Sequence, residues 1–191
     1  MMLLEIQESK ETTTPIQIFA TDLSEQAIIK ARIGMYTKQD LETVSPKRIQ
    51  RFFIKADTGF RVNKAIRNMC VFAQHNILHD PPFSRLDFIS CCNLFIYLDN
   101  PAQKKALNTF HYALHDNGFL MLGKSENITQ STNLFAGFNK KYKIFSRKTN
   151  LGTRTLPALL PRYAQQNLLE KNTLTTKKIN HNKLFQWITT D

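Results

Sequence analysis

Three strand-length apolar runs in this chain end on a polar side chain. IQIFAT runs into Asp22, CVFAQH into Asn76 and LDFISCC into Asn93. Short apolar, β-rich runs bounded by polar residues read as buried strands. Helix-start signals fall between and after them. Ser24 is a predicted N-cap for a helix over Glu25–Ile33, with Gly34 suited to its end. Ser45-Pro46 starts a second helix through about Phe52, and Asn100-Pro101 a third, with Asn100 as cap and Gln103 at the capping-box position. Ala102, Ala106, Phe110 and Leu114 recur every four residues and predict one buried face, ended by Asp116-Asn117-Gly118. Phe119–Leu122 and Tyr142–Phe145 read as later strands. Strands alternating with helices predict an α/β domain with a largely parallel sheet.

In an open parallel sheet, ligands bind at the carboxyl edge, where strand ends converge. Asp22, Asn76 and Asn93 are therefore candidates for one site. A carboxylate can accept hydrogen bonds from both ribose hydroxyls of a nucleoside. An amide donates and accepts at once, which suits an adenine edge or an amino-acid carboxylate. The competing reading is local: Asp22 starts a helix cap and the asparagines close tight turns.

From Asp22 to Asn76 there are 54 positions, far more than a simple crossover needs. The excess, about residues 34–68, holds the Ser45-Pro46 helix and a predicted hairpin of Phe52–Ala56 and Phe60–Asn63 around Asp57-Thr58-Gly59. It reads as an inserted subdomain. Residues 1–149 then form the domain. Residues 150–191 mix Thr, Asn, Gln and Lys with no clean period and read as a linker or weakly structured basic tail.

The formal charge is +11, of which +4 falls in residues 150–191 and +7 in the rest. No run exceeds two consecutive basic residues. Basicity spread in this way describes a solvated surface, so no nucleic-acid partner is expected. No apolar run is long enough to span a bilayer, so no membrane insertion is expected. Three cysteines, two of them adjacent, form no disulfide framework and point to a reducing cytoplasm. His75 and His79, and His111 and His115, stand four apart. HNILH lacks the glutamate that zinc proteases carry after the first histidine, and the cysteines lack zinc spacing, so no metal site is expected.

Together ATDLSEQAIIKARIGMY, HNILHDPPFSRLDFISCCNLFIYLD and HYALHDNGFLMLGKSENI resemble CheR-type methyltransferases, over roughly Ile16 to Lys148. The versions most similar are found in large signalling proteins that join methylesterase, methyltransferase and sensor modules. The resemblance implies a Rossmann-like class I fold with S-adenosylmethionine as cofactor. It implies transfer of methyl groups to glutamate side chains of a chemoreceptor's cytoplasmic domain. By position, Asp22 would bind the ribose hydroxyls, Asn76 and Ile77 would sit beside the adenine, and Asn93 would be a second cofactor contact. Tyr97 would lie near the methyl-bearing sulfur. Ser125-Glu126 matches a signature of the family. The insert around Gly59 is similar to a small β-subdomain that docks on the receptor in some members.

The chain departs from the family pattern at two places. Cys92 stands where the family usually has arginine, and a thiol cannot supply a guanidinium's charged donor fork. The family's glycine-containing first loop, with its Gly-Glu-Glu motif, precedes the segment matching IQIFATD. Here 21 residues precede Asp22 and the first glycine is Gly34, so an incomplete front and impaired activity are expected. A non-catalytic docking remnant of a chemotaxis-type multidomain protein is the alternative, and a basic nucleic-acid-binding α/β protein the third reading.

Overall fold

The computed structural model describes residues 1–128 and 131–149, and the backbone of residues 183–189. Helix α1 (Met2–Ser9) leads into strand β1 (Ile16–Asp22) and helix α2 (Glu25–Ile33). Ser24 caps α2 as expected, its hydroxyl accepting from the Ala27 N–H at 3.2 Å, and Gly34 ends it at φ 63°.

The insert folds as a separate small sheet. Strand β2 (Met35–Tyr36) and helix α3 (Pro46–Phe52) precede the hairpin of β3 (Phe53–Ala56) and β4 (Gly59–Val62). The sheet is antiparallel in the order β2-β4-β3. Gly59, at φ 151°, passes so close to Tyr36 that an added Cβ would lie 2.4 Å from its carbonyl oxygen. Only glycine permits both that conformation and that approach. Helix α1 is tied to α3 by ion pairs, Glu5 to Arg48 at 2.6 Å and Glu8 to Arg51. The Arg48 guanidinium beside Glu5 holds its carboxyl below the usual range. Helix α4 (Lys64–Met69), capped by Asn63, returns the chain to the main sheet.

Strands β5 (Cys70–Gln74) and β6 (Leu86–Cys92) follow, then helix α5 (Asn100–Ala113) and strand β7 (Leu114–Leu122). Strands β8 (Phe135–Asn139) and β9 (Ile144–Arg147) pair antiparallel and close one side. The last described strand is β10 (Lys183–Thr189). The main sheet has the order β5-β1-β10-β6-β7-β9-β8, parallel from β5 through β7. Its first five strands follow the doubly wound order 3-2-1-4-5, with β10 in the place of the first strand. The tail expectation for residues 150–191 lies largely outside the described residues. Within it, Lys183–Thr189 is a strand and not a linker.

The main core is drawn from Leu86 to Phe145: Leu86, Ile89, Cys91, Phe110, Leu114, Leu120 and Phe135 are among its most buried members. Helix α5 contributes Ala106, Leu107, Phe110 and Ala113. Two local expectations shift. Asp99, not Asn100, is the N-cap of α5, its carboxylate accepting from the Ala102 N–H at 2.9 Å. Gln103 instead donates to the carbonyls of Phe95 and Leu98, at 2.9 and 3.0 Å, and so anchors the turn before the helix. Leu114 also belongs to β7, because the chain turns from helix to strand directly after Ala113.

The cap assignment predicts opposite behaviour at adjacent positions. Asp99→Ala should cost about 1 kcal/mol in urea denaturation. Asn100→Ala should stay within about 0.5 kcal/mol of the parent.

Candidate functional site

Strand register places the candidate residues along one edge. Asp22 lies level with Gln74 of β5, and Thr21 with Ile188 of β10. On the other side of β10, Ile188 is level with Cys91 and Thr189 with Cys92, while Cys91 is level with Leu122 of β7. The row Gln74, Asp22, Thr189, Cys92 therefore marks the carboxyl edge, with Gly123 one step past Leu122. Asn76 extends two residues beyond the row, and Asn93 one. Asp22 and Asn93 are two strand spacings apart, or about 10 Å.

Each side chain also has local work. The Asp22 Oδ1 accepts from the Ser24 N–H at 2.7 Å, and its backbone carbonyl accepts from the His75 N–H at 3.0 Å. The Asn76 side-chain oxygen accepts from the Leu78 N–H at 3.0 Å, while the Asn76 N–H donates to Asp80 at 2.7 Å. The local reading thus holds for one side-chain atom each of Asp22 and Asn76. The second carboxylate oxygen of Asp22 has no recorded partner among the described residues. Ile77 is half-buried against the main core. Asn93 is exposed and left-handed, at φ 62°, so β6 stops there and its amide is turned out of the strand pattern. That conformation is tolerated best by Asn, Asp and Gly, which accounts for an amide within an apolar run.

Tyr97 ends a 3-10 turn (Phe95–Tyr97) and is 69% exposed. It is not a core aromatic. His75, beside Asn76, bonds the Pro81 carbonyl through Nε2 at 3.1 Å, and its Nδ1 is buried without a partner among the described residues. An orphaned ring nitrogen beside a strand end marks a place for a ligand or water.

Glu126 organises the opposite half of the edge. The residue is 3% exposed. Its two carboxylate oxygens accept from the backbone N–H groups of Phe95 (2.8 Å) and Gly123 (2.5 Å). It therefore joins the loop after β6 to the loop after β7. A Cβ on Gly123 would lie 2.6 Å from the Glu126 carboxylate and 3.3 Å from the Asn93 N. Only glycine leaves room for this clamp. In the sequence Glu126 was visible only as part of a family signature, because its partners are backbone groups 31 and 3 residues away. Burial pushes the Cys91 thiol well up, with the Glu126 charge adding to it, so Cys91 is a neutral core residue. Among the described residues no group of His, Cys, Asp and Glu forms a metal site. No helix among them is long and apolar enough to cross a membrane.

A cleft of about 350 Å³ lies elsewhere, lined by Glu5, Ser45, Lys47, Arg48 and Arg51. Its two arginines are already paired with Glu5 and Glu8, which leaves the strand edge as the better candidate.

The family model described as CheR methyltransferase, SAM binding domain, matches residues 1–144. The chain belongs to the CheR methyltransferase family. The domain's cofactor is S-adenosyl-L-methionine and its fold is the class I methyltransferase fold. Residues of the chain are 33% identical over 130 positions to the chemotaxis protein methyltransferase of Salmonella typhimurium, covering 63% of this chain and 44% of that protein. The Escherichia coli chemotaxis protein methyltransferase is 33% identical over 123 residues, 59% of this chain and 42% of that protein. An uncharacterized 104.1 kDa protein of Rhodobacter capsulatus is 35% identical over 130 residues, 68% of this chain and 14% of that protein. The chain thus spans less than half the length of each of these relatives.

The clamp predicts a graded loss. Glu126→Ala leaves two buried N–H groups unpaired and should cost about 2–4 kcal/mol in chemical denaturation, with Glu126→Gln intermediate because one acceptor survives.

Proposed function

We propose that the chain carries out CheR-like methyl transfer from S-adenosyl-L-methionine to glutamate side chains of a chemoreceptor's cytoplasmic domain. The observation that carries this reading is the alignment of Asp22, Asn76 and Asn93 along one carboxyl edge, next to an orphaned His75 nitrogen. In this reading the open oxygen of Asp22 accepts from the ribose hydroxyls. Asn76 and Ile77 flank the adenine, Ile77 from a fixed position on the core. Asn93 supplies an amide from the left-handed turn that the Glu126 clamp holds. Tyr97, at the open mouth, meets the incoming substrate and the sulfonium side.

A bound cofactor would supply an electrophilic methyl carbon on a sulfonium; a glutamate oxygen attacking that carbon in line would form the ester C–O bond as the C–S bond breaks, its electron pair leaving on the sulfur of a neutral thioether. A glutamate carboxylate is ionised near neutral pH, so the chain need not provide a strong base. Its contribution is positioning and exclusion of water. The exposed apolar residues Tyr36 and Ile54 of the small sheet suit receptor docking. No disulfide joins Cys70, Cys91 and Cys92, which suits a reducing cytoplasm. Likeness to 14% of a 104.1 kDa protein is consistent with a place beside other modules in one longer chain.

Activity is expected to be impaired. Cys92 stands in place of the family's arginine, and a thiol cannot supply a guanidinium's charged donor fork. The second reading, a docking module without catalysis, is favoured by the same feature together with the apolar small sheet.

Calorimetry with S-adenosylhomocysteine should give binding weaker than micromolar, and micromolar binding would remove the claim of impairment. Tritiated-methyl transfer to receptor cytoplasmic fragments should be slow, alkali-labile and abolished by Asp22→Ala. No transfer by a folded chain at millimolar cofactor would leave the docking reading in its place.

A further inference from the structure

Strand β10 stands apart from its neighbours in how the chain reaches it. Thirty-five residues separate Arg147 at the end of β9 from Lys183. In the sheet the two strands are three positions apart, or about 14 Å. A connection of that length could extend to roughly 115 Å. Chain length therefore does not force this strand into this slot. Backbone pairing does: Ile16–Thr21 pair with Lys183–Ile188 on one side, and six residues of β10 pair with Leu86–Cys92 on the other.

Both neighbours have independent support. Strand β1 is held by β5 and lies under α2, whose Arg32 donates to the Phe72 carbonyl at 2.8 Å. Strand β6 belongs to the β6-β7-β9-β8 half, which contains the whole main core between Leu86 and Phe145. Among the described strands, β1 and β6 are joined through β10 alone. Packing of Phe83 against Phe19, with ring centroids 5.2 Å apart, ties the halves by side chains as well.

We propose that the gap between β1 and β6 is an exchangeable strand-docking site, with Lys183–Thr189 as its resident occupant. The strand binds as a seven-residue parallel segment paired on both edges, and it can be supplied by a separate peptide of the same sequence. Its release parts Asp22 and Asn76 from Asn93 and Glu126, so docking assembles the candidate site. The proposal needs neither cofactor binding nor methyl transfer to hold.

Backbone hydrogen exchange on the whole chain tests it. In the parent, the amides of residues 184–188 should exchange as slowly as those of β6, and exchange at unstructured rates would overturn the proposal. Gln186→Pro removes a central N–H without deleting an apolar side chain, and proline is excluded from central strands. In that variant, β1 and β6 amides facing β10 should exchange about tenfold faster or more, while β7 and β9 stay protected. Gln186→Ala should leave the pattern unchanged. Adding a peptide of residues 181–191 to the proline variant should restore the slow amides, and a scrambled peptide should not. Failure of the native peptide to restore them would overturn exchange. Sedimentation should show a monomer carrying full protection. Protection confined to a dimer would place the strand in a second copy and overturn resident docking. Should the proline variant lose protection everywhere, the slot is a folding element, and exchange is likewise overturned.

Discussion

One strand joins the two halves of the main sheet. β5 and β1 pair with each other, β6 with β7, and β10 bonds to both sides through its backbone. A parallel strand in the middle of a sheet satisfies donors and acceptors on two edges at once. Without it, β1 and β6 would each present an unpaired edge. The candidate site depends on the same arrangement, because Asp22 and Asn76 belong to one half and Asn93, Tyr97 and Glu126 to the other.

The two halves are built differently. The half containing β6 has a dense core, with Leu86, Ile89, Phe110, Leu114 and Leu120 fully buried, and its loops are pinned by a buried carboxylate. A charge at that depth persists because both oxygens are paired with backbone donors. The half containing β1, with the small sheet, has few buried side chains among the described residues, Thr21, Ile28, Leu41 and Phe52 among them, and relies on turn bonds at Asp22 and Asn76 and on surface ion pairs at α1. Exposed ion pairs contribute little, so more of the order on this side rests on strand pairing.

Much of this fold was legible in the sequence because its signals are local. The Ser24 cap, the Gly34 helix end, the hairpin around Gly59 and the strand ends at Asp22, two residues before Asn76 and just before Asn93 depend on residues within a few positions of one another. Asp99 was misread by one position, since Asp, Asn and Pro in sequence allow two capping registers and only geometry chooses. Leu114 continued the helical spacing by coincidence and is a strand residue. Strand β10 was not legible. KLFQWIT has strand-forming residues, but it follows a polar stretch and its pairing partners lie almost 100 to 170 residues earlier. Glu126 was hidden for a similar reason, as a buried acid acquires its meaning from the loops it joins.

The identity of the central strand shapes the chemistry available at the edge. In a doubly wound sheet the first strand ends in a glycine turn, and the backbone itself becomes part of the ligand site. Here that position is held by Lys183–Thr189, and those seven residues include no glycine. The flanking side chains then carry more of the recognition. Asp22 and Asn93 still stand on either side of the centre, at a separation an adenosine group can bridge. An adenosine moiety has donors and acceptors for both, whereas the charged amino-acid end of the cofactor would find a weaker counterpart in Cys92 than in a guanidinium. In the proposed site, selectivity would therefore lean toward the nucleoside part of the ligand.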